Sequence, residues 1–280
     1  MSDIILLLLN MCFPVLAGLE MLLNRKEGSQ KELARKALTA MIIAGCFLIL
    51  NVSGKEKSVL LLSIGSELPV YFHMDALGRL LAAVVTVVWT ASICFAGEYM
   101  KKEEDQKRFF GFFLVVYGVL MALCYAGNLV TFYLFYEMMT LTTVPLVLHT
   151  RTREAITAGI KYLLYSLCGA YLVLFGTYVL NRYTTSLNFT PGGTLNLAAV
   201  TGHETLILTA AFLMILGFGV KAGMFPLHGW LATAHPAAPA PASAVLSGVI
   251  VKMGVLGAIR VVYEIVGADF IRGTWVQKTW

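Results

Sequence analysis

Apolar residues in this chain come in long unbroken runs, not in the three-to-four-residue rhythm of a helix with one wet face. Eight runs, near residues 4 to 23, 37 to 53, 76 to 97, 109 to 127, 128 to 149, 154 to 181, 205 to 234 and 241 to 263, are bounded by charge, Pro or Gly. A helix needs about 20 mostly apolar residues to cross a bilayer, so each run predicts a transmembrane helix. The fold class is therefore an all-α membrane protein of about eight transmembrane helices. The first run follows Met1-Ser2-Asp3 with no basic stretch ahead of it, unlike a cleaved signal peptide, and is expected to stay as a helix. Between the second and third runs, Ser58 to Asp75 reads as two short extended pieces around Gly65-Ser66, an outer hairpin. Arg182 to Glu204, rich in Asn, Thr and Gly, reads as an outward, solvated connection. Its Asn188-Phe189-Thr190 matches a glycosylation sequon, a pattern too short to carry weight alone.

Composition narrows the function classes. The 280 residues are 58% hydrophobic and only 13% charged, against about 45–50% and about 25% in soluble domains. That excludes a soluble globular enzyme and a disordered chain. Lys and Arg total 21 against 16 Asp and Glu, but the basic residues sit in short loops between runs, so they report topology and no nucleic-acid partner. Arg25, Lys26, Lys31, Arg35 and Lys36 follow the first run, Lys101, Lys102, Lys107 and Arg108 the third, and Arg151 and Arg153 the fifth. The opposite loops hold only Lys55, Lys57 and Arg182. Positive loops stay cytoplasmic, so both termini are expected to face outward from a cell (inner) membrane. Cys12, Cys46, Cys94, Cys124 and Cys168 all fall inside apolar runs without C-x-x-C spacing and read as buried thiols acting as small hydrophobes. No metal, iron–sulfur centre or other cofactor is predicted. Nor does any Ser/His/Asp set, phosphate-cradling Gly loop or H-E-x-x-H suggest an active site of its own.

Ionisable residues deep in the runs are the candidate chemistry. By helical rise, Glu137 lies about 13 and 18 Å from the two ends of its run, Lys252 about 16 Å into its own, and Lys221 more than about 20 Å from either end. Each costs about 2.5–3.5 kcal/mol at the bilayer centre, so the three must be paired, hydrated or neutralised. Burial favours the neutral forms of acid and amine, whereas bringing the two together favours both charged forms. A Glu137–Lys221 pair that opens and closes is thus a proton switch; a static ion pair fixing helix register is the competing reading. The string Gly217-Phe218-Gly219-Val220-Lys221-Ala222-Gly223-Met224-Phe225-Pro226-Leu227-His228-Gly229-Trp230 predicts a broken helix beside Lys221, and broken helices at membrane depth line cavities or ion sites. Lys221, His228 and His235 are seven apart, roughly one helical face of titratable groups separated by steps of about 10.5 Å. The histidines could equally cap a helix end and touch the interface. Lys161, about 10 Å below its helix end, is within snorkelling reach but joins the candidates. Arg79, His73 and Asp75 read as interfacial anchors, as do His149 and His203.

The stretch His228-Gly229-Trp230-Leu231, Ala234-His235-Pro236, Ala238-Pro239, Pro241-Ala242-Ser243-Ala244, Leu246-Ser247-Gly248, Lys252-Met253-Gly254 to Arg260 resembles the antiporter-like proton-pumping subunits of respiratory complex I, membrane-bound hydrogenases and multisubunit sodium/proton antiporters. Phe135-Tyr136-Glu137-Met138-Met139, Lys161-Tyr162-Leu163-Leu164-Tyr165 and Gly219-Val220-Lys221-Ala222-Gly223 look like that family's fifth, sixth and seventh helix signatures. The resemblance implies that Glu137 and Lys221 form a coupled pair, that Lys252 is a central relay, and that His228 and His235 flank the broken helix. It implies an organisation of residues 1–108 as three helices with the hairpin, 109–263 as a five-helix ion-translocating repeat, and 264–280 as an outward tail. Family members usually carry about fourteen helices with two inverted five-helix repeats, so only the first repeat is expected here. The implied function is non-redox translocation of protons, with sodium left open, in partnership with other membrane subunits of an energy-converting complex. A subunit of a cation/proton antiporter and a structural or assembly subunit are the alternatives.

Overall fold

The computed structural model describes residues 2–24, 28–52, 57–64 and 68–279. Eight helices are long and apolar enough to cross a membrane, and two short strands are the only sheet among these residues. The spans are α1 (Ser2–Leu23), α2 (Gln30–Val52), α3 (Ala76–Tyr99), α4 (Gln106–Cys124), α5 (Leu129–Val147), α6 (Arg153–Leu180) and α7 (Glu204–Ala222). A short α8 (Leu231–Ala237) precedes the last span, α9 (Ala240–Val266). The fold is that of an all-α membrane protein.

Local chemistry explains most boundaries. Asp75 accepts from Gly78 N, Asn128 from Thr131 N and Thr152 from Ala155 N, so α3, α5 and α6 each begin at a side chain that satisfies a free N–H. Helix α2 starts seven residues before its apolar run because its first turns are charged yet helical, with Lys36 and Glu32 paired one turn apart at 3.3 Å. Helix α9 is not uniformly α: Leu246–Ile250 and Val261–Val266 are wider π turns.

Helix α4 is the hub. Some 83% of its apolar window is buried inside the chain, against 33% for α1 and α2, and it packs on α1, α2, α3 and α5. A second packing unit joins α6, α7 and α9. There Gly169 and Gly217 face each other so closely that a Cβ on either would run into the backbone oxygen of the other. That approach sets the height of α7 against α6.

The expected hairpin is present: β1 (Ser58–Ile64) pairs antiparallel with β2 (Leu68–His73), with a bulge between Leu60 and Leu62. Its turn at Gly65-Ser66 lies outside the described residues, as do Arg25, Lys26 and Lys55. One other expectation changes. The 182–204 connection is strapped down, not merely solvated: Thr184 bridges Leu195, Asn188 bridges Asn128, and Thr190 N and Thr194 N donate to the carbonyls of Glu264 and Ile265. The residues after Val266 turn back onto α7, with the Trp275 ring 5.2 Å from Phe212. Of the cysteines only Cys124 is buried; the other four lie on the outer surface of the chain, because apolar runs in a membrane do not mark which side faces protein.

Replacing Gly217 by Val is expected to overpack the α6–α7 contact and cost about 1–3 kcal/mol. Thermal unfolding of the membrane-extracted protein checks it: a lowered midpoint is expected, and an unchanged one would mean that the two backbones need no such approach.

Candidate functional site

Lys221 stands in the last turn of α7 with no exposed surface. Its ammonium donates to Thr140 Oγ1 at 2.9 Å, Tyr162 OH at 2.6 Å and Ser166 Oγ at 3.1 Å. Three N–H donors thus meet three hydroxyl oxygens, and the Tyr162 ring faces the same nitrogen at 4.3 Å. These acceptors come from two helices at helical spacing, Thr140 from α5 and Tyr162 and Ser166 four apart on α6. A further hydroxyl, Thr143 Oγ1, lies 2.6 Å from Tyr162 OH and extends the chain of hydroxyls along α5.

The helix break closes over this site. Helix α7 ends at Gly223, whose φ of 75° lies in the left-handed region that glycine reaches without strain. The chain then turns through 224–230 before α8 begins. Trp230 folds back, donating to Val220 O at 2.8 Å and resting on Tyr162 with ring centroids 5.0 Å apart. A helix C-terminus carries partial negative charge and free carbonyls, which favours a cation there.

Glu137 lies on α5, one turn from Thr140, and is half-buried. The expected direct pairing with Lys221 is not made in this conformation: all three of the lysine's hydrogen bonds go to hydroxyls. Glu137 Oε1 is buried without accepting a hydrogen bond from any described residue. Neutral hydroxyls lose less on leaving water than a carboxylate does, so they are the cheaper partners for a buried ammonium.

The other candidates are dispersed. His235 Nδ1 is 2.9 Å from Ser243 Oγ, tying α8 to the start of α9. His228 is exposed in the turn, stacked on Phe225 at 5.7 Å. The seven-residue spacing therefore does not give one face, because α7 stops at Ala222 and the chain turns before His228. Lys161 lines a cavity of about 530 Å³ with Arg153, Glu154, Thr157, Thr233 and Pro236 at the α6–α8 junction. Lys252 follows the first π turn of α9 and donates to Ser247 O at 2.7 Å, but it is exposed on the outer surface of the chain, whereas Lys221 is fully buried. Position along the helix could not fix its facing.

Sequence reasoning missed the hydroxyl cradle, although hydroxyl residues at helical spacing on α5 and α6 were its signal. It also read Asp75 as an interfacial anchor. Asp75 instead pairs with Arg260, which is only 1% exposed and which also holds Glu264, one turn further along α9. Arg260 and Glu264 four apart in an apolar helix were the available clue.

Residues 126–277 match the family model described as NADH:quinone oxidoreductase/Mrp antiporter, TM. The chain is 33% identical over 205 residues to hydrogenase-4 component B of Escherichia coli (strain K12), an alignment covering 72% of this chain and 30% of that protein. It is 30% identical over 197 residues to NADH-quinone oxidoreductase subunit N of Desulforudis audaxviator (strain MP104C), covering 70% and 39%. A chain in the structure of the Mrp complex from Dietzia sp. DQ12-45-1b superposes with a TM-score of 0.75 at 21% identity, over 96% of this chain and 50% of that one. This chain thus spans half or less of the length of these three. Because the matched segment takes in more than half of the chain, including Lys221 and its hydroxyl partners, the chain belongs to the NADH:quinone oxidoreductase/Mrp antiporter transmembrane family.

Proposed function

We propose that this chain is the first half of a proton-translocating, non-redox membrane machine, with α4 to α9 moving the ion and α1 to α3 with the hairpin bracing them. The observation that carries this reading is Lys221: a fully buried amine held only by neutral hydroxyls beside a helix break, with the unpartnered carboxylate oxygen of Glu137 one turn away from Thr140. In the low dielectric of the bundle, exchanging hydroxyl partners for a carboxylate strengthens the hold of the amine on its proton, and the reverse loosens it. Glu137 is the gate and Lys221 the carrier. Lys161 and its cavity, with His235 and His228, supply the approach from the Arg- and Lys-rich end, which is the cytoplasmic side by the positive-inside rule. Both ends of the described chain then face outward.

Lys252 completes the scheme only if its surface is covered, since an amine at bilayer depth on a lipid face is costly. We assign that face to a further membrane-embedded half or subunit, in keeping with the greater length of the relatives. A respiratory or hydrogenase-type complex in the cell membrane is the leading setting. The superposition with a chain of the Mrp complex supports a second one, a multisubunit cation/proton antiporter, in which the same site would exchange ions without electron flow.

In the assembled complex, Lys221→Ala and Glu137→Gln are each expected to abolish ion pumping across reconstituted vesicles while assembly remains intact; normal pumping by both would sink the translocation role. Tyr162→Phe leaves one N–H of Lys221 without its partner, at a cost of about 1–3 kcal/mol or more for a charged group. It is expected to lower both thermal stability and pumping, whereas loss of neither would mean that the lysine is held elsewhere.

A further inference from the structure

One buried charged cluster plays no part in the scheme above. It sits at the opposite end of the bundle from the Arg- and Lys-rich loops, under the β-hairpin and the strapped 182–196 segment. Arg260, on the α9 stretch after Lys252, is 1% exposed and sends its guanidinium between two carboxylates. One is Asp75 at the start of α3, bound two-pronged through Nη1 and Nη2, the latter at 2.9 Å. The other is Glu264, bound once at 2.5 Å. Phe189 from the strapped segment covers the guanidinium face at 4.8 Å, and backbone bonds from Thr190 and Gly192 to the carbonyls of Glu264 and Tyr263 hold that cover down.

The charge sum is what needs explaining. A clamp between α3 and α9 requires one carboxylate; here two share one guanidinium, so among these three side chains acid exceeds base by one, with the charge of His73 acting on both acids. Such an excess is relieved when one carboxyl takes a proton. The two acids are not equivalent. Asp75 accepts both guanidinium prongs and the N–H of Gly78. Burial pushes its carboxyl up, but Arg260 and Gly78 outweigh burial and hold it below the ordinary carboxylate range. Glu264 has a single bond to the arginine; its side chain is 14% exposed and that of Asp75 24%, where that of Arg260 is 1%. Both acids thus keep some surface while the arginine is enclosed, and Glu264 is the one held by the weaker grip. Other titratable groups near the cluster among the described residues include His73 on β2, Cys124 at the end of α4 and Arg79, one turn along α3 from Asp75. On α9 itself, Arg260 lies eight residues beyond Lys252, about 12 Å along the helix.

We propose that this cluster is a second proton-holding site, at the hairpin end of the bundle, in which Glu264 binds the proton while Asp75 stays paired to Arg260. A proton arriving from the interior bonds to a Glu264 carboxylate oxygen; on release it passes to water at the hairpin end, and the carboxylate returns to Arg260. Glu264 is thus a proton-carrying residue, and Asp75, Arg260 and Phe189 position it.

The inference rests on the translocation reading, and its test separates the two. Infrared difference spectra of the assembled complex, recorded against pH on the hairpin side, are expected to show a buried protonated-carboxyl C=O stretch that fades as pH rises. The band is absent in Glu264→Gln, shifted in Glu264→Asp, and retained in Lys221→Ala. Glu264→Gln, which mimics the neutral acid in shape, is expected to assemble normally yet to slow pumping on the order of 100-fold. A band unchanged in Glu264→Gln, or wild-type pumping by that variant, overturns the proposal. If Lys221→Ala pumps as wild type while the band behaves as stated, the translocation reading falls and the proton-holding site stands.

Discussion

An ammonium in a dry protein interior must find an acceptor for each of its hydrogens, and the architecture around Lys221 follows from that requirement. Its three acceptors come from α5 and α6, so those helices must meet α7 at one height. The Gly169–Gly217 contact permits the approach between α6 and α7. The helix ends just past the lysine, and Trp230 returns from the break to seal the aromatic side of the pocket. Shifting any one of these pieces would strand a buried charge, an outcome far costlier than a lost surface bond.

The same requirement gives the site its capacity for change. Hydroxyls are weak partners and rotate freely, whereas a carboxylate one turn away is a strong one. With Glu137 Oε1 accepting no hydrogen bond from a described residue, one turn from Thr140, the lysine has an alternative acceptor close to its present ones along α5. A second arginine-centred group at the far end of the bundle obeys the opposite logic. There one cation is paired with two acids, and the proposed proton carrier is an acid. On the proposed reading, an amine and an acid that each exchange partners, in separate layers of the bundle, suit stepwise passage of a proton better than a continuous wire.

How much of this could be read from residues alone follows the physics of each signal. Hydropathy is a property of the whole segment, so all eight spans were legible, as was the break, because Gly and Pro act on the backbone locally. Charged first turns hid the true start of α2, since a helix needs backbone bonds and not apolar side chains. Facing was not legible: in a chain surrounded by hydrocarbon, lipid-side and protein-side positions are equally apolar. Lys252, Cys12, Cys46, Cys94 and Cys168 thus lie on an outer face that the residues alone did not reveal. Long-range pairs such as Asp75 with Arg260, 185 residues apart, have no signature within a single sequence.

The most direct test of the central claim is a solid-state NMR measurement of dipolar coupling between Lys221 Nζ and Glu137 Cδ in the labelled, membrane-assembled protein, at rest and under an imposed ion gradient. The account predicts no close coupling at rest, where hydroxyls hold the amine, and its appearance under the gradient. A close coupling of equal strength in both states would describe a permanent ion pair and contradict it.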